Sequence, residues 1–260
     1  MLYHHIIEHP ESKEWVVFIH GAGGSSGVWY KQIKEFKKHY NLLFIDLRGH
    51  GKSVSKNTLK RYYTFRTVAL EIIEVLDHHN LKQCHFLGVS LGTIIIRELA
   101  EYDPSYVKSM IMAGAVMKFN VKSKILLNVA DKVKHFLPYM WIYKIYANIL
   151  MPKKRHKTSR NLFIKEAIKL KRNEFLNWMT LNNEINSLLN IFCQNELPIP
   201  VIYIMGDEDY MFLTQVKLLP NKHKQYSSLV VLKDAGHVCN VDQGEEFNKV
   251  ALEFLSAVAA

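Results

Sequence analysis

The pentapeptide Gly88-Val89-Ser90-Leu91-Gly92 lies between an apolar segment, 84–89, and a second apolar segment, 91–100. The first segment is typical of a buried strand, and the second, with its run Ile94-Ile95-Ile96, is typical of a helix. A serine on a sharp strand-to-helix turn is held clear of both elements, and flanking glycines let the backbone turn without a clash. The helix N-terminus points its amides at the serine oxygen. This is the geometry of an activated nucleophile, so the pattern predicts an enzyme.

Strand-like and helix-like segments alternate on both sides of this turn. Strands are expected at 15–20, 42–46, 84–89, 107–113, 201–205 and 229–232, with a further edge strand near 3–8. Helices are expected near 28–38, 65–79, 91–101, 213–219 and 243–257. This order predicts the α/β class, with a mostly parallel sheet flanked by helices on both faces.

The basic residues are concentrated in one part of the chain. The whole chain has a net charge of +10, but residues 118–195 carry 15 basic and 4 acidic residues and therefore hold essentially all of it. This segment has no glycine and is broken at Pro138 and Pro152, which indicates about four helices. We therefore expect an α/β core formed by 1–117 and 196–260, with an inserted basic α-helical cap at 118–195.

Composition and termini indicate a soluble protein of a reducing compartment. Hydrophobic residues make up 48% and charged residues 22% of the chain, which is ordinary for a globular domain. The start, 1–5, lacks the features of a signal peptide, and the longest apolar stretch, 139–151, is shorter than a membrane span. Three cysteines form an odd set without metal-site spacing. We therefore expect a cytoplasmic location and no disulfide framework.

Four further segments each follow a predicted strand: His20–Gly24, Asp46–Ser53, Gly206–Asp209 and Ala235–His237. Side chains at the carboxyl ends of parallel strands meet at one edge of the sheet. The glycine-rich turn at 20–24 can expose backbone amides, as an oxyanion hole requires. Each segment alone is weak, because glycine, serine and aspartate also mark ordinary turns and helix caps. Four such segments in order, each at a strand end, favour a shared site.

These motifs together resemble the α/β-hydrolase superfamily. The match covers the predicted core, and the insert stands where that family carries its helical cap. The family's chain order of nucleophile, acid and histidine implies the triad Ser90, Asp209 and His237. Its acid usually lies three residues after the glycine that ends its strand, so Gly206 implies Asp209 rather than Asp207.

The resemblance also implies the parts that surround the triad. The oxyanion hole would be formed by the backbone amides of Ala22 and Leu91. His20 is expected to support the oxyanion loop, and His50 to be a loop residue rather than a general base. The tail 236–247 is similar to the family's histidine loop and last helix, except that Gly244 stands where many members have proline.

The residue types fit acyl transfer. A serine hydroxyl becomes an effective nucleophile when a base removes its proton, and histidine has a suitable pKa for that base. A carboxylate orients the imidazole and stabilises the imidazolium. The resemblance therefore implies a serine hydrolase acting on a carboxylic ester through an acyl-enzyme. Thioesters, lactones and carbon–carbon bonds remain alternatives, as does a non-catalytic signalling or receptor protein. Lyase relatives often place arginine just after the nucleophile turn, whereas here Thr93 follows Gly92 and Arg97 comes a helical turn later.

Two lookalike motifs are rejected. Gly51-Lys52-Ser53 imitates the end of a phosphate-binding loop, but Asp46 stands where its first glycine is required. The run 21–26 imitates a dinucleotide-binding turn, but Ser26 occupies the third glycine position. The histidine pairs 4–5 and 78–79 have no matching ligand motif. We therefore expect neither a cofactor nor a metal.

The insert offers two interpretations. In the simpler one, its apolar residues cover the active site and the run 153–157, Lys-Lys-Arg-His-Lys, is a solvated loop. In the other, the basic charge also attracts an anionic partner such as a lipid surface. A small-molecule ester or acyl substrate is expected in either case, and nucleic-acid binding is not. The apolar residues expected to cover the site are Leu126, Leu127, Val133, Phe136, Leu137, Met140, Trp141, Tyr143, Ile145, Tyr146, Ile149 and Leu150.

Overall fold

One seven-stranded sheet organises the residues that the computed structural model describes, which are 1–53, 63–219, 223 and 225–259. The strands are β1 His4–Ile7, β2 Trp15–Ile19, β3 Asn41–Ile45, β4 Cys84–Val89, β5 Val107–Ala113, β6 Val201–Gly206 and β7 Ser227–Leu232. Their order in the sheet is β1-β3-β2-β4-β5-β6-β7, and every neighbouring pair is parallel except β1 with β3. The mostly parallel α/β sheet predicted from the sequence is thereby confirmed.

The central strands are apolar on both faces because helices cover both sides of the sheet. In β2, Val17 and Ile19 point into one hydrophobic cluster, and Val16 and Phe18 point into the other. All four side chains are fully buried. This explains why the strands have continuous apolar sequences rather than alternating ones.

The helices of the core divide between these two clusters. On one face lie α2 Phe65–His78 and α3 Leu91–Tyr102, and on the other lie α1 Ile33–Phe36 and α11 Gly244–Ala259. Two short helices, α9 Leu213–Val216 and α10 Cys239–Asp242, follow β6 and β7. No described helix is sufficiently long and apolar to cross a bilayer.

The helix predicted near 28–38 is broken. Ser26–Trp29 forms a 3-10 turn, and α1 is only one turn long. Between them Gln32 is buried, and its side-chain amide donates to the carbonyl of Asn240 at 3.0 Å. Tertiary contacts therefore interrupt a segment whose local pattern suits a single helix.

The insert is helical, as predicted, but it contains five described α-helices rather than about four. They are α4 Val121–Val133, α5 Tyr139–Leu150, α6 Lys157–Ala167, α7 Arg172–Met179 and α8 Asn182–Gln194, with a 3-10 turn at Lys154–His156. Two of the four breaks carry neither of the prolines that marked the others. They precede α7, where Lys171 adopts extended backbone and Leu170 is buried, and α8, where Leu181 is buried.

The apolar faces of α4 and α5 do not all point inward. Tyr143 joins a small cluster within the insert, with Val133 and Met140 packed against it. However, Phe136 and Trp141 are 87% and 61% exposed. The prediction that the apolar residues of the insert cover the active site is therefore wrong for these two, and for Ile145 and Ile149, which are also exposed. The reason is that Trp141, Ile145 and Ile149 lie on the outer side of α5, and Phe136 lies in the connection between α4 and α5.

Candidate active site

The structure brings Ser90, His237 and Asp209 into one hydrogen-bonded chain. Ser90 lies between β4 and α3, Asp209 follows β6, and His237 follows β7. The Ser90 hydroxyl lies 2.8 Å from Nε2 of His237, and Nδ1 of His237 lies 2.7 Å from Oδ2 of Asp209. When the ring proton is on Nδ1 and is donated to the carboxylate of Asp209, Nε2 can accept the serine proton. These are the three residues that the sequence singled out.

The turn at Ser90 has unusual backbone geometry. Its φ of 55° and ψ of −119° lie in a region that side chains with a Cβ rarely adopt. The Ser90 amide donates to the carbonyl of Ala113 in the neighbouring strand end at 3.0 Å, which helps to fix the turn. A Cβ at Gly92 would overlap the carbonyl oxygen of Ile19. Glycine at 92 is thus required by the close approach of α3 to β2.

The two candidate acids have different surroundings. Oδ1 of Asp209 accepts hydrogen bonds from the amides of Met211 at 3.3 Å and Phe212 at 3.1 Å, which leaves Oδ2 directed at His237. Asp207 instead accepts from the amide of Ala235 at 3.3 Å, two residues before the histidine. Asp207 therefore braces the loop, whereas Asp209 contacts the imidazole.

Two buried histidines hold the glycine-rich loop after β2. His20 donates from Nδ1 to the carbonyl of Gly21 at 2.7 Å, and its Nε2 accepts from the amide of Leu47 at 3.0 Å. His50 donates from Nδ1 to the carbonyl of Arg48 at 2.9 Å, and its Nε2 accepts from the amide of Gly23 at 2.9 Å. Each ring links the loop to the segment after β3.

Both of these histidines are neutral. Burial lowers the pKa of His20, and burial together with the neighbouring His20 lowers the pKa of His50 to about 3. Since both nitrogens of each ring are engaged, neither is available as a base. His20 supports the glycine-rich loop, as expected. His50 is a loop residue, as expected, and it also supports the glycine-rich loop through the amide of Gly23.

The Ser90 hydroxyl opens into a small cavity of about 40 Å³. Ala22, Ser90 and His237 form its floor, and α6 supplies Leu162, Phe163 and Glu166 as the roof. None of these three α6 residues was predicted from the sequence. Their spacing of i, i+1 and i+4 places them on one side of a helix, but nothing in the sequence shows which side faces the site.

Glu166 is the charged residue that the insert contributes to this cavity. It is 7% exposed, and Lys169 pairs with its carboxylate at 2.7 Å. In the described part of the chain, no three His, Cys, Asp or Glu side chains converge as metal ligands would. The lookalike segment ending at Ser53 wraps around the Asp46 carboxylate, which accepts from the amide of Lys52 at 2.8 Å.

The basic run 153–157 is anchored to the core beside the triad. Lys153 lies 2.5 Å and His156 lies 2.9 Å from the carboxylate of Glu208, the neighbour of Asp209. Arg155 pairs with Asp234. Burial alone would raise the pKa of Glu208, but Lys153, Arg155 and His156 hold it below its usual value. The interpretation of this run as a solvated loop is therefore wrong for His156, which is fully buried, whereas Lys153 and Arg155 stay in contact with solvent while they pair with core carboxylates.

The fold is that of the hydrolases built on an α/β sheet, and the sequence comparison agrees. The profile of the family described as alpha/beta hydrolase fold matches residues 14–147, slightly more than half of the chain. The chain therefore belongs to the α/β-hydrolase fold family.

Individual relatives are distant but cover nearly the whole chain. A protein of Stutzerimonas stutzeri, provisionally named carbamate hydrolase RutD, is 26% identical over 93% of this chain and 91% of its own length. A thermophilic esterase from Thermogutta terrifontis superposes with a TM-score of 0.81 at 17% identity, over 100% of this chain and 94% of that one. The enol-lactonase from Burkholderia xenovorans LB400 gives 0.80 at 18% identity, over 98% and 96%. The two structures share the fold with this chain.

Proposed function

We propose that this protein is a serine hydrolase that cleaves a carboxylic ester through an acyl-enzyme. The observation that carries the proposal is the continuous hydrogen-bonded chain from Ser90 through His237 to Asp209, with the serine facing a cavity. In this assignment Ser90 is the nucleophile, His237 the general base and then the general acid, and Asp209 the residue that orients the imidazole.

The reaction follows from these positions. As Oγ of Ser90 attacks the ester carbonyl, its proton passes to Nε2 of His237. The negative charge on the carbonyl oxygen is stabilised by the backbone amides of Ala22 and Leu91. Ala22 lines the cavity, and Leu91 is the first residue of α3. The imidazolium then protonates the leaving alcohol, and water attacks the acyl-enzyme by the reverse route.

The cavity favours a small, largely apolar acyl group. Leu162, Phe163 and Val238 line it, and its volume of about 40 Å³ is little more than a few atoms require. The Glu166 carboxylate faces the same space, so an uncharged acyl group should bind better than an anionic one. Two proteins with the same fold are named an esterase and an enol-lactonase, which agrees with an ester bond as the target.

The position of Arg97 supports a hydrolase rather than a lyase of the same fold. Arg97 is 3% exposed, and its guanidinium donates to Glu101 at 2.7 Å and to the carbonyl of Asn195 at 2.5 Å. It is not among the residues that line the cavity. Its charge is used to fasten α3 to the end of the insert.

Two measurements test the proposal. A fluorophosphonate probe should label Ser90, identified by mass spectrometry, and Ser90→Ala should abolish labelling. On p-nitrophenyl esters of increasing chain length, turnover should be greatest for the shortest acyl groups and absent in Ser90→Ala. An adduct on another residue, or undiminished turnover by Ser90→Ala, would reject the nucleophile. A folded protein that reacts with neither probe nor esters would favour the non-catalytic alternative.

A further inference from the structure

Exposed apolar side chains are concentrated on one part of the insert. Of the sixteen large hydrophobic residues that are exposed in the described chain, seven lie within residues 121–149. Surface hydrophobic residues scattered singly need no explanation, but a concentration of this kind marks an interaction surface. The seven residues, here called the outer face of the α4–α5 hairpin, are Val121, Ile125, Val129, Phe136, Trp141, Ile145 and Ile149.

The outer face follows helical geometry. Val121, Ile125 and Val129 are spaced four residues apart on α4, and Trp141, Ile145 and Ile149 have the same spacing on α5. Residues at this spacing lie one above another on one side of a helix. The opposite sides are buried: Ala130 of α4 is 4% exposed, and Ala147 of α5 is fully buried. Each helix thus has one apolar side packed inward and another turned to solvent.

Phe136 and Trp141 form the most prominent part of this face. Phe136 lies in the five-residue connection between the two helices and is 87% exposed. Trp141 lies in the first turn of α5 and is 61% exposed. Aromatic side chains in such positions are typical of proteins that insert into the interface of a lipid bilayer.

The lysines beside this face indicate that its partner is negatively charged. Residues 118–150 contain six lysines and one acidic residue, Asp131. Asp131 is already paired with Lys134 at 2.5 Å. Lys124, Lys132 and Lys144 are exposed, and none of them forms an ion pair with a residue that the structure describes. By contrast, Lys153 and Arg155 of the basic run are paired with core carboxylates.

We infer that the outer face of the α4–α5 hairpin binds the surface of an anionic phospholipid membrane. The apolar side chains enter the interface, and Lys124, Lys132 and Lys144 lie at the level of the headgroups. A second copy of the chain fits less well. A two-fold interface would place the same surface on both sides and so oppose one cluster of lysines with another.

The proposed membrane face and the candidate active site lie on opposite sides of one helix. The inward side of α5 carries Tyr143, and a Cβ at Gly23 of the loop near Ser90 would lie 2.6 Å from its ring. The outward side carries Trp141 and Ile145. Binding through the outer face would therefore place the insert, and not the opposite end of the sheet, against the lipid.

Vesicle binding tests the inference. Wild-type protein should sediment with vesicles containing about 30% phosphatidylserine and bind pure phosphatidylcholine about tenfold less strongly. Raising the salt from about 0.01 M to 0.15 M shortens the screening length from about 30 Å to about 8 Å and should weaken the binding steeply. Quenching of tryptophan fluorescence by bromine-labelled lipids should occur in the wild type and be lost in Trp141→Phe.

Matched variants separate the outer face from the rest of the surface. Phe136→Ser with Trp141→Ser should lower the partition coefficient at least about tenfold. Ile191→Ser, which changes another exposed apolar residue of the insert, should not. A similar loss in the partition coefficient is expected for a triple variant that combines Lys124→Gln, Lys132→Gln and Lys144→Gln. Its control is a triple variant of exposed core lysines, Lys37→Gln, Lys233→Gln and Lys249→Gln, which should change the partition coefficient less than about threefold. Turnover of short soluble esters should be unaffected in all of them.

Several outcomes would overturn the inference. These are equal binding to neutral and anionic vesicles, equal losses in the control variants, or no binding at low salt. Sedimentation velocity provides a further check. A lipid-free dimer that dissociates in Phe136→Ser with Trp141→Ser would assign the face to a second copy of the chain.

Discussion

The carboxylate of Glu166 accepts a hydrogen bond of 2.6 Å from the hydroxyl of Ser25. Glu166 belongs to α6 of the insert, and Ser25 directly follows the loop that carries Ala22. The same serine oxygen accepts from the amide of Gly27 at 3.1 Å and so caps the 3-10 turn. One hydroxyl therefore connects the roof of the cavity to the proposed oxyanion loop. A shift of α6 would be expected to displace that loop next to Ser90.

This connection predicts the effect of Ser25→Ala. The variant loses a cap worth about 1 kcal/mol and releases α6 from the loop. We expect kcat/KM for a short ester to fall about tenfold, mostly through kcat, because the oxyanion amides are displaced. Ser26→Ala is the matched control, since Ser26 contacts Asp46 through its backbone amide, which the substitution keeps.

The other partner of this hydrogen bond gives a second comparison. Glu166→Gln keeps an acceptor oxygen for the Ser25 hydroxyl and should retain more activity than Glu166→Leu. Equal losses in both Glu166 variants would contradict the connection.

The two aspartates after β6 should differ in importance. Asp209→Asn removes the charge that orients His237, and turnover should fall by a factor of about 10²–10⁴. Asp207→Asn keeps an oxygen for the amide of Ala235 and should cost less than about tenfold. Steady-state kinetics on one ester, with circular dichroism to check folding, make the comparison. A larger loss in Asp207→Asn would transfer the role to that residue.

Gly23→Ala should damage the loop in two ways. Gly23 has a φ of +69°, which strains any residue with a Cβ, and the added methyl would lie 2.6 Å from the ring of Tyr143. We expect kcat to fall about 10–100-fold with little change in the substrate on which activity is greatest. Adding Tyr143→Leu removes the clash but not the strained backbone, so it should restore only part of the loss. Complete recovery would show that the backbone conformation is unimportant.

Acid stability should depend on His50. Its pKa is lowered to about 3 in the folded protein, against about 6.5 when unfolded. The unfolded chain therefore binds the additional proton, and the stabilising effect present above pH 6.5 is lost as the pH falls towards 3. The expected slope is about 1.4 kcal/mol in the free energy of unfolding for each pH unit in that window.

His50→Gln tests this slope. Its amide can still accept from Gly23 and donate to Arg48, but it cannot be protonated. Urea unfolding between pH 4.5 and 8 should show a pH dependence shallower by about one proton than in the wild type. Identical slopes would place the acid sensitivity in other groups. Because His20 is also buried and neutral, the variant should retain part of the dependence.

The sheet and the three residues around Ser90 were predictable for a common reason. Ser90, Asp209 and His237 each follow a strand directly, and parallel strands bring their carboxyl ends together whatever lies between them in sequence. The residue types at the strand ends were therefore sufficient to predict which segments meet at the site. The identity of the acid came from the resemblance to known hydrolases rather than from the residues alone.

The insert could not be predicted in the same way. Its helices follow from composition, but the side of each helix that packs inward depends on neighbours that are distant in sequence. Trp141 and Tyr143 are two residues apart and equally aromatic, yet one is 61% and the other 8% exposed. The ion pairs of the insert could not be predicted for the same reason. The carboxylates that pair with Lys153 and Arg155 lie on the core, 55 and 79 residues further along the chain.

The left-handed backbone of Ser90 implies that thermal stability and the proposed nucleophilic role favour different residues at this position. A φ of 55° costs a serine roughly 1–3 kcal/mol, while glycine adopts it freely. Ser90→Gly should therefore melt at a higher temperature than the wild type. A lineage selected for heat resistance alone would be expected to drift to glycine here. The hydroxyl would persist only for as long as the organism benefits from what it does.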